Sequence, residues 1–493
     1  MLDTRGPELV VLGYDKQHPI ALTAGDNVRI RGAPSAEVVP TPVRRGNATA
    51  DAPATAYDTT GKAYPLATAE CLTVNWPNVT SSVPIGTQVF IAPYLYTGSE
   101  TSSAYLEVVA HEGDCLVCKC LNDTVLGGAR ILTVMVSGVQ APLPTLTAQD
   151  EHDIVVWGKR NRIDFLSLSF TRDINDVLHA RSLLERNGMD YVQLIPKIES
   201  ITGLREFDSI LAMSDGIVFS RGNLGIDVPA EKMFRCQKHV IRCCNEAGKP
   251  VVITRVVDTM VNAPRPTRAE ATDVANAVLD GADAILLGAE TTRGSHPVLA
   301  TKTLVTICEE AQRMFDHNEH YIRTMDVAAG GSAASSWNRS TTQGEDISDE
   351  IVVALSDEEA LASSAVRAAD KSGASLIVCY TRTGNTARLL AKYKPPVPVL
   401  TYVVPTLYND GLRWQFKGDS VARQMLLQYG LVPMLADPSI ASEEALGNDS
   451  ASGPLLDEAL NYAMEQRLCK SGDTIVVSQK LGLHPVVKVL SVD

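Results

Sequence analysis

The sequence predicts an α/β protein: a parallel sheet with helical crossovers, interrupted near its start by a β-rich insertion and followed by a second α/β region. Three observations predict it. Residues 149–316 alternate apolar runs with helical patterns, residues 6–142 carry short alternating runs between Gly, Pro and Asn turns, and the strand–helix rhythm returns after residue 346.

Taken in order, Met1–Thr4 reads as the end of a strand. The runs Glu8–Leu12, Asn27–Ile30, Gln88–Ile91, Leu106–Val109 and Ile131–Val136 then read as strands of a small β-barrel or sandwich. The Ala/Thr/Pro-rich stretch Gly32–Lys62 has no apolar period and is expected to be an exposed loop. Cys115, Cys118 and Cys120 lie on a segment that alternates as a strand. A zinc reading of these thiols needs a fourth ligand, and no second pair stands at a matching spacing.

The apolar runs Ile163–Phe170, Tyr191–Ile195, Gly216–Phe219, Val251–Ile253 and Ala284–Leu287 each precede a helical pattern. Those helices are Ile174–Arg186, Gly203–Met213, Pro229–Ala247, Arg268–Asp280 and Val298–Phe315. Serial βα units imply a parallel sheet, and a (β/α)8 barrel is the leading closed form. With Met1–Thr4 as a sixth strand, two units of such a barrel are unaccounted for. Beyond a Gly/Ser-rich stretch, Leu361–Lys371 and Asn385–Lys392 read as helices. Ser375–Tyr380, Val397–Val404, Thr474–Ser478 and Val486–Leu490 read as strands of a smaller α/β domain, and Asp437–Pro454 reads as a loop.

The chain has 493 residues, 45% of them hydrophobic, enough for more than one core. A formal net charge of −14 argues against a nucleic-acid binder, which needs a basic face. No run of about 18 apolar residues offers a membrane-spanning helix. The start shows neither a signal-peptide core nor an Arg-rich leader, and the ten scattered cysteines fit reduced thiols, so the expected location is cytoplasmic.

Catalytic groups of a parallel barrel sit where strands end. Those positions hold Lys197 and Glu199, then Arg221-Gly222-Asn223, then Thr254-Arg255, then Gly288-Ala289-Glu290. Lys197 and Glu199 are two apart, so on a strand they share a face at the mouth. A cation beside a metal-binding carboxylate suits phosphoryl transfer, and an ion pair at the rim is the plainer alternative. Gly222-Asn223 is expected to open a turn ahead of the helix near Pro229. Its backbone N–H groups suit a small anion, although any βα loop can carry such a glycine. A strand-end threonine such as Thr254 is common and says little alone.

Lys197-Ile198-Glu199, Arg221-Gly222-Asn223-Leu224-Gly225-Ile226 and the stretch Pro264–Asp283 with its Arg-Pro-Thr-Arg-Ala-Glu core together resemble pyruvate kinase. Leu2-Asp3-Thr4-Arg5-Gly6-Pro7-Glu8 resembles the segment by which that family leaves its barrel for a β-rich lid. The resemblance then covers essentially the whole chain. Ser220-Arg221-Gly222-Asn223 and Thr254-Arg255-Val256-Val257-Asp258 are most similar to the plant and green-algal cytosolic branch.

The resemblance implies transfer of phosphate from phosphoenolpyruvate to ADP, giving pyruvate and ATP, with Mg²⁺ and K⁺. It implies a homo-oligomer, a tetramer. Lys197 would stabilise the phosphoryl group in flight, and Glu199 would bind Mg²⁺ together with Asn223, where most of the family has Asp. The Gly222 and Asn223 amides would hold the substrate carboxylate, and Thr254 would sit beside the enolate. Asp3 and Thr4 match K⁺ ligands, and Glu8 matches an acidic position associated with K⁺ dependence. Thr381-Arg382-Thr383-Gly384-Asn385-Thr386 resembles a sugar-phosphate effector loop, with a plain αβ turn as the alternative. The implied partition is 1–5 barrel strand stub, 6–148 lid, 149–327 catalytic barrel, 328–346 linker and 347–493 regulatory domain. The family also places an Arg that contacts the phosphate, and further K⁺ ligands, ahead of Leu2. Little activity is therefore expected of the chain as written. An inactive family member serving as an oligomer partner is the alternative, and a barrel lyase acting on enolates is a more distant one.

Overall fold

The computed structural model describes residues 1–15, 17–33, 55–57, 63–93, 103–127, 131–139, 141, 143–328, 355–409, 414–438, 453–481 and 484–492. Most of the expected Gly32–Lys62 and Asp437–Pro454 loops, and the 328–346 linker beyond its first residue, lie outside these residues.

Six parallel strands form one sheet, in the order Leu2–Asp3, Phe165–Leu168, Gln193–Ile198, Ile217–Phe219, Val251–Thr254, Ala284–Leu286. That is two strands fewer than the eight that close a (β/α)8 barrel. Leu2 and Asp3 pair with Leu166 and Ser167, so the first strand lies beside one that follows it by more than 160 residues. The Phe165–Leu168, Ile217–Phe219 and Val251–Thr254 strands are buried along their whole length, which is why they read as continuous apolar runs rather than alternating ones.

Between the first two strands the chain builds a closed barrel of seven strands, and this decides between the barrel and sandwich readings. Around the barrel run Cys115–Cys120, Asn27–Gly32, Cys71–Val74, Leu9–Leu12, Leu132–Val136, Gln88–Pro93 and Ala104–Glu112. Cys118 and Cys120 lie buried on the first of these strands, in the barrel's own apolar core with Val28, Leu106 and Leu116. Closure leaves the barrel no free edge.

The helices follow their sequence signals at the ends. Asp173 caps Ile174–Arg186 by accepting from the Asn175 and Asp176 N–H groups. Thr267 and Glu270 form a capping box on Arg268–Asp280, and Thr147 and Asp150 another on Ala148–His152. Two readings change. The expected Gly203–Met213 helix is two, Ile201–Arg205 and Phe207–Met213, meeting at Glu206. Gly222-Asn223 is not in a turn but inside a helix, Arg221–Asp227, which opens directly at the strand end. Its two glycines made the segment read as a loop, yet Leu224 packs it into the sheet's core and overrides that propensity.

The C-terminal region is a five-stranded sheet in the order Leu431–Leu435, Val399–Val403, Leu376–Thr381, Thr474–Leu481, His484–Ser491. The last pair is antiparallel. Helices Asp357–Ser372 and Asn385–Lys392 pack on one face and Gly453–Glu465 on the other. The Leu431–Leu435 strand and the helices Asp419–Met425 and Gly453–Glu465 go beyond the sequence reading.

Candidate active site

The site forms at the C-terminal ends of the parallel strands. The Gln193–Ile198 strand carries Lys197 to the mouth, and Glu199 follows at its end. Lys197 Nζ lies 3.4 Å from Asp3 Oδ2, 3.5 Å from Glu199 Oε1 and 3.4 Å from Ser169 Oγ. Glu199 is buried. Its Oε2 accepts from the Phe170 N–H at 2.8 Å, and its Oε1 accepts from Asn223 Nδ2 at 2.9 Å. Lys197, Glu199, Asn223 and Asp3, taken from two strand ends and one helix, therefore form one linked cluster, with Lys197 between the Asp3 and Glu199 carboxylates.

Electrostatics keep the Lys197 ammonium charged. Burial pulls the Lys197 ammonium down, but Glu199 and then Asp3 outweigh it and hold the group above its ordinary range. Glu8 goes the other way. Burial raises its carboxyl above the usual 4.5, and the Arg5 ion pair at 3.1 Å offsets this only in part. Glu8 is close enough to feel both Glu199 and Lys197.

Thr4 is buried one residue beyond Asp3. Its Oγ1 accepts from the Ser169 N–H at 2.9 Å, and its carbonyl accepts from the Ser169 hydroxyl at 2.6 Å. Gly6 crosses so close to this pair that a Cβ would stand 2.9 Å from Ser169 Cβ, and its φ of +72° is left-handed, so only glycine suits the position. Phe170, which turns its N–H to Glu199, also has a left-handed φ of 52°.

Thr254 ends the Val251–Thr254 strand. It is buried, with its hydroxyl 3.5 Å from the Phe219 carbonyl, and no direct bond joins it to Lys197 or Glu199. Arg221 fastens this side. It donates to the carbonyls of Thr254 and Arg255, to Gln237, and to Asp273 at 2.7–2.8 Å. Arg255 holds a left-handed φ of 61° and pairs with Asp258 at 3.2 Å. Gly222, Arg221, Arg255 and Asp273 border a cleft of about 450 Å³ whose other wall is the lid's Phe90 and Tyr105. A larger concavity of about 1150 Å³ lies among the helices near Arg235 and Phe315, and Lys197, Glu199 and Thr254 take no part in it.

Three contributors had little sequence signal. Ser169 and the Phe170 amide sit at an ordinary strand end. Asp150 accepts from the backbone N–H groups of Arg5, Gly6 and Thr147, and its one signal was the Thr-x-x-Asp spacing of a capping box. The 381–386 loop lies apart, in the C-terminal sheet region. Gly384, at φ +85°, donates its N–H to Thr381 Oγ1 at 2.8 Å and precedes the Asn385–Lys392 helix.

A partly buried ammonium beside hard oxygen donors, at the mouth of parallel strands and under a β-barrel, is the layout of a metal-assisted phosphotransferase. The comparisons narrow that class. The family description "Pyruvate kinase, barrel domain" matches residues 49–301, and "Pyruvate kinase, alpha/beta domain" matches residues 359–486. "Pyruvate kinase 2, cytosolic" of Oryza sativa subsp. indica is 44% identical over 428 residues, 87% of this chain and 76% of its own length. "Pyruvate kinase, cytosolic isozyme" of Glycine max is 40% identical over 373 residues, 76% of this chain and 67% of its own. A crystal structure of Cryptosporidium parvum pyruvate kinase superposes with a TM-score of 0.74 at 30% identity, covering 100% of this chain and 84% of that one. The chain belongs to the pyruvate kinase family.

Proposed function

We propose that the Lys197 cluster carries the phosphoryl transfer of this family, from phosphoenolpyruvate to ADP, giving pyruvate and ATP. The observation that supports it is the linked cluster in which Lys197 bridges Asp3 and Glu199 at 3.4 and 3.5 Å and Asn223 donates to Glu199 at 2.9 Å. A fixed positive charge there stabilises the phosphoryl group most when its negative charge is spread, as it is during transfer. Thr254, two strands along the sheet from Lys197, would serve the enolate, and the first-turn amides of Gly222 and Asn223 would hold the substrate carboxylate.

Oxygen donors suit hard cations, and the residues present fit both ions. Glu199 Oε1 and, after its amide turns over, Asn223 Oδ1 would hold Mg²⁺, which would neutralise charge on the substrate phosphate. The Asp3 carboxylate and the Thr4 carbonyl would serve K⁺, with Glu8 behind them. The 381–386 loop is proposed as a phosphate-binding turn, because Thr381, Thr383 and the amides before Asn385 cluster at a helix start. One solved relative is a complex with ADP, and the named plant relatives are cytosolic, which supports an ADP site and a cytosolic setting here. The homo-oligomer, a tetramer, rests on family membership.

The test is pyruvate formation coupled to a dehydrogenase, with phosphoenolpyruvate, ADP, Mg²⁺ and K⁺ varied in turn. Pyruvate release that requires ADP and Mg²⁺ and vanishes in Lys197→Met supports the reading. Release that is indifferent to ADP overturns it.

A further inference from the structure

Away from the mouth, Asp208, His239 and Cys243 bring a carboxylate, an imidazole and a thiol together. One ligand atom of each lies within 4.8 Å of the other two. Asp208 belongs to the helix Phe207–Met213, while His239 and Cys243 belong to Ala230–Glu246. The latter two are four residues apart, so they stand one above the other on a single helix face. Cys243 Sγ is 3.8 Å from His239 Nδ1 and 3.9 Å from Nε2. Phe207 sets its ring 6.1 Å from the imidazole and limits the directions in which His239 can swing. Asp208 and His239 are exposed and Cys243 is half-buried, so an ion can reach all three.

We infer that these three side chains form a surface site for a divalent metal of the zinc class, clamping the two helices together. Zinc places nitrogen and sulfur ligands at about 2.0–2.3 Å, which spaces tetrahedral ligand atoms by about 3.3–3.7 Å. The imidazole and thiol already approach that spacing, and Asp208 must close by only about 1 Å. Sulfur and imidazole nitrogen favour zinc over Mg²⁺ or Ca²⁺, which seek oxygen. Binding exchanges the thiol proton for a metal–sulfur bond, and the proton leaves to solvent. Thiolate and carboxylate together then balance the two charges of the ion, and a water completes the tetrahedron. Arg242 is the competing cation. Its Nη2 lies 3.5 Å from His239 Nδ1, while its Nη1 is 3.6 Å from Glu246 Oε1, and Glu246 can retain it when the metal arrives.

The experiment titrates the full, reduced chain with Co²⁺ under nitrogen, then competes Zn²⁺ against a chromophoric chelator. One equivalent of Co²⁺ should give a thiolate-to-cobalt charge-transfer band that Zn²⁺ removes. Cys243→Ser should abolish the band, and His239→Ala should weaken Zn²⁺ binding about tenfold or more. Asp208→Asn should weaken it less, and Cys236→Ser, two turns before Cys243 on the same helix, should change nothing. Asp208 and His239 are exposed while Cys236 and Cys243 pack partly against the sheet's core, so circular dichroism checks that each variant is folded. No band, or a band that survives in Cys243→Ser, overturns the site. Unchanged Zn²⁺ affinity in His239→Ala overturns it equally.

Discussion

Lys197 is a cation that two carboxylates keep charged where burial would neutralise it. A charge preserved in that way is useful if it acts chiefly on the transferring group. Lys197→Met should therefore lower kcat by about 10²–10³ while leaving the phosphoenolpyruvate KM within a few fold. A rise in KM with kcat preserved would assign Lys197 to ground-state binding. Asn223 gives the second prediction. Asn223→Asp replaces an amide donor 2.9 Å from Glu199 with a second carboxylate, so the metal-free protein should lose thermal stability as like charges meet. Mg²⁺ should restore it, and the activity titration should show tighter Mg²⁺ affinity. Stability and affinity both unchanged would mean that residue 223 does not face the ion. At this scale the sequence was informative where spacing mattered. Two residues on one strand end share a face, so Lys197 and Glu199 were legible together. Ser169, Phe170 and Asp150 were not, because they act through backbone amides or reach partners more than 140 residues away.

The helix Arg268–Asp280 shows how one element can hold a loop of the mouth. Glu270 closes the capping box with Thr267 and also accepts from the Thr259 N–H at 2.8 Å and from its hydroxyl. Thr267→Ala should cost about 1 kcal/mol in urea unfolding. Burial raises the Glu270 carboxyl, but the Thr259 and Thr267 hydrogen bonds outweigh that and hold it below its usual 4.5. The sign follows from the lowered value. The contribution of Glu270 is complete above the unfolded carboxyl's pKa and is lost as pH falls through the lower folded one. The stability of Glu270→Gln should therefore fall less steeply than wild type below about pH 4.5, because this group no longer titrates. Parallel pH profiles would contradict the assignment. Element types read well from sequence because apolar period and cap residues agree, as they do from Asp173 to Arg186. The reading failed at Arg221–Asp227, where glycines lower helix propensity and packing against the sheet decides the outcome.

Across the whole molecule, the parallel sheet meets the C-terminal region at a buried ion pair. Lys394 Nζ lies 3.1 Å from Asp283 Oδ1, with side chains 3% and 7% exposed. Asp283 also accepts from the Val251 and Tyr429 N–H groups, so it ties a sheet strand to both neighbours. Arg423 adds a second tie to Asp164. Asp283→Ala leaves Lys394 buried without a counter-ion and should cost about 3–5 kcal/mol. If the pair couples the two regions, unfolding should also separate into two steps, and a single transition at the wild-type midpoint would refute it. None of this was legible in the sequence, where Asp283 stood only as the last residue of the Pro264–Asp283 stretch. Order of elements along a chain predicts sheets well and predicts the contacts between sheets poorly.

The lid leaves the parallel sheet and returns to it through two threads, and both are knotted to Asp150. The outgoing thread gives its Arg5 and Gly6 amides to that carboxylate, and the returning one gives Thr147. The joint has further pins, since the Gly138 N–H donates to Asp227 at 3.1 Å and Arg172 donates to the Leu143 carbonyl and the Thr145 hydroxyl. The knot fixes the point of attachment, and with it the Thr4–Ser169 bonds beside Lys197. The strand that carries Asp3 and the cap that faces it are thus locked to one carboxylate, with only the five residues Thr4–Glu8 between them.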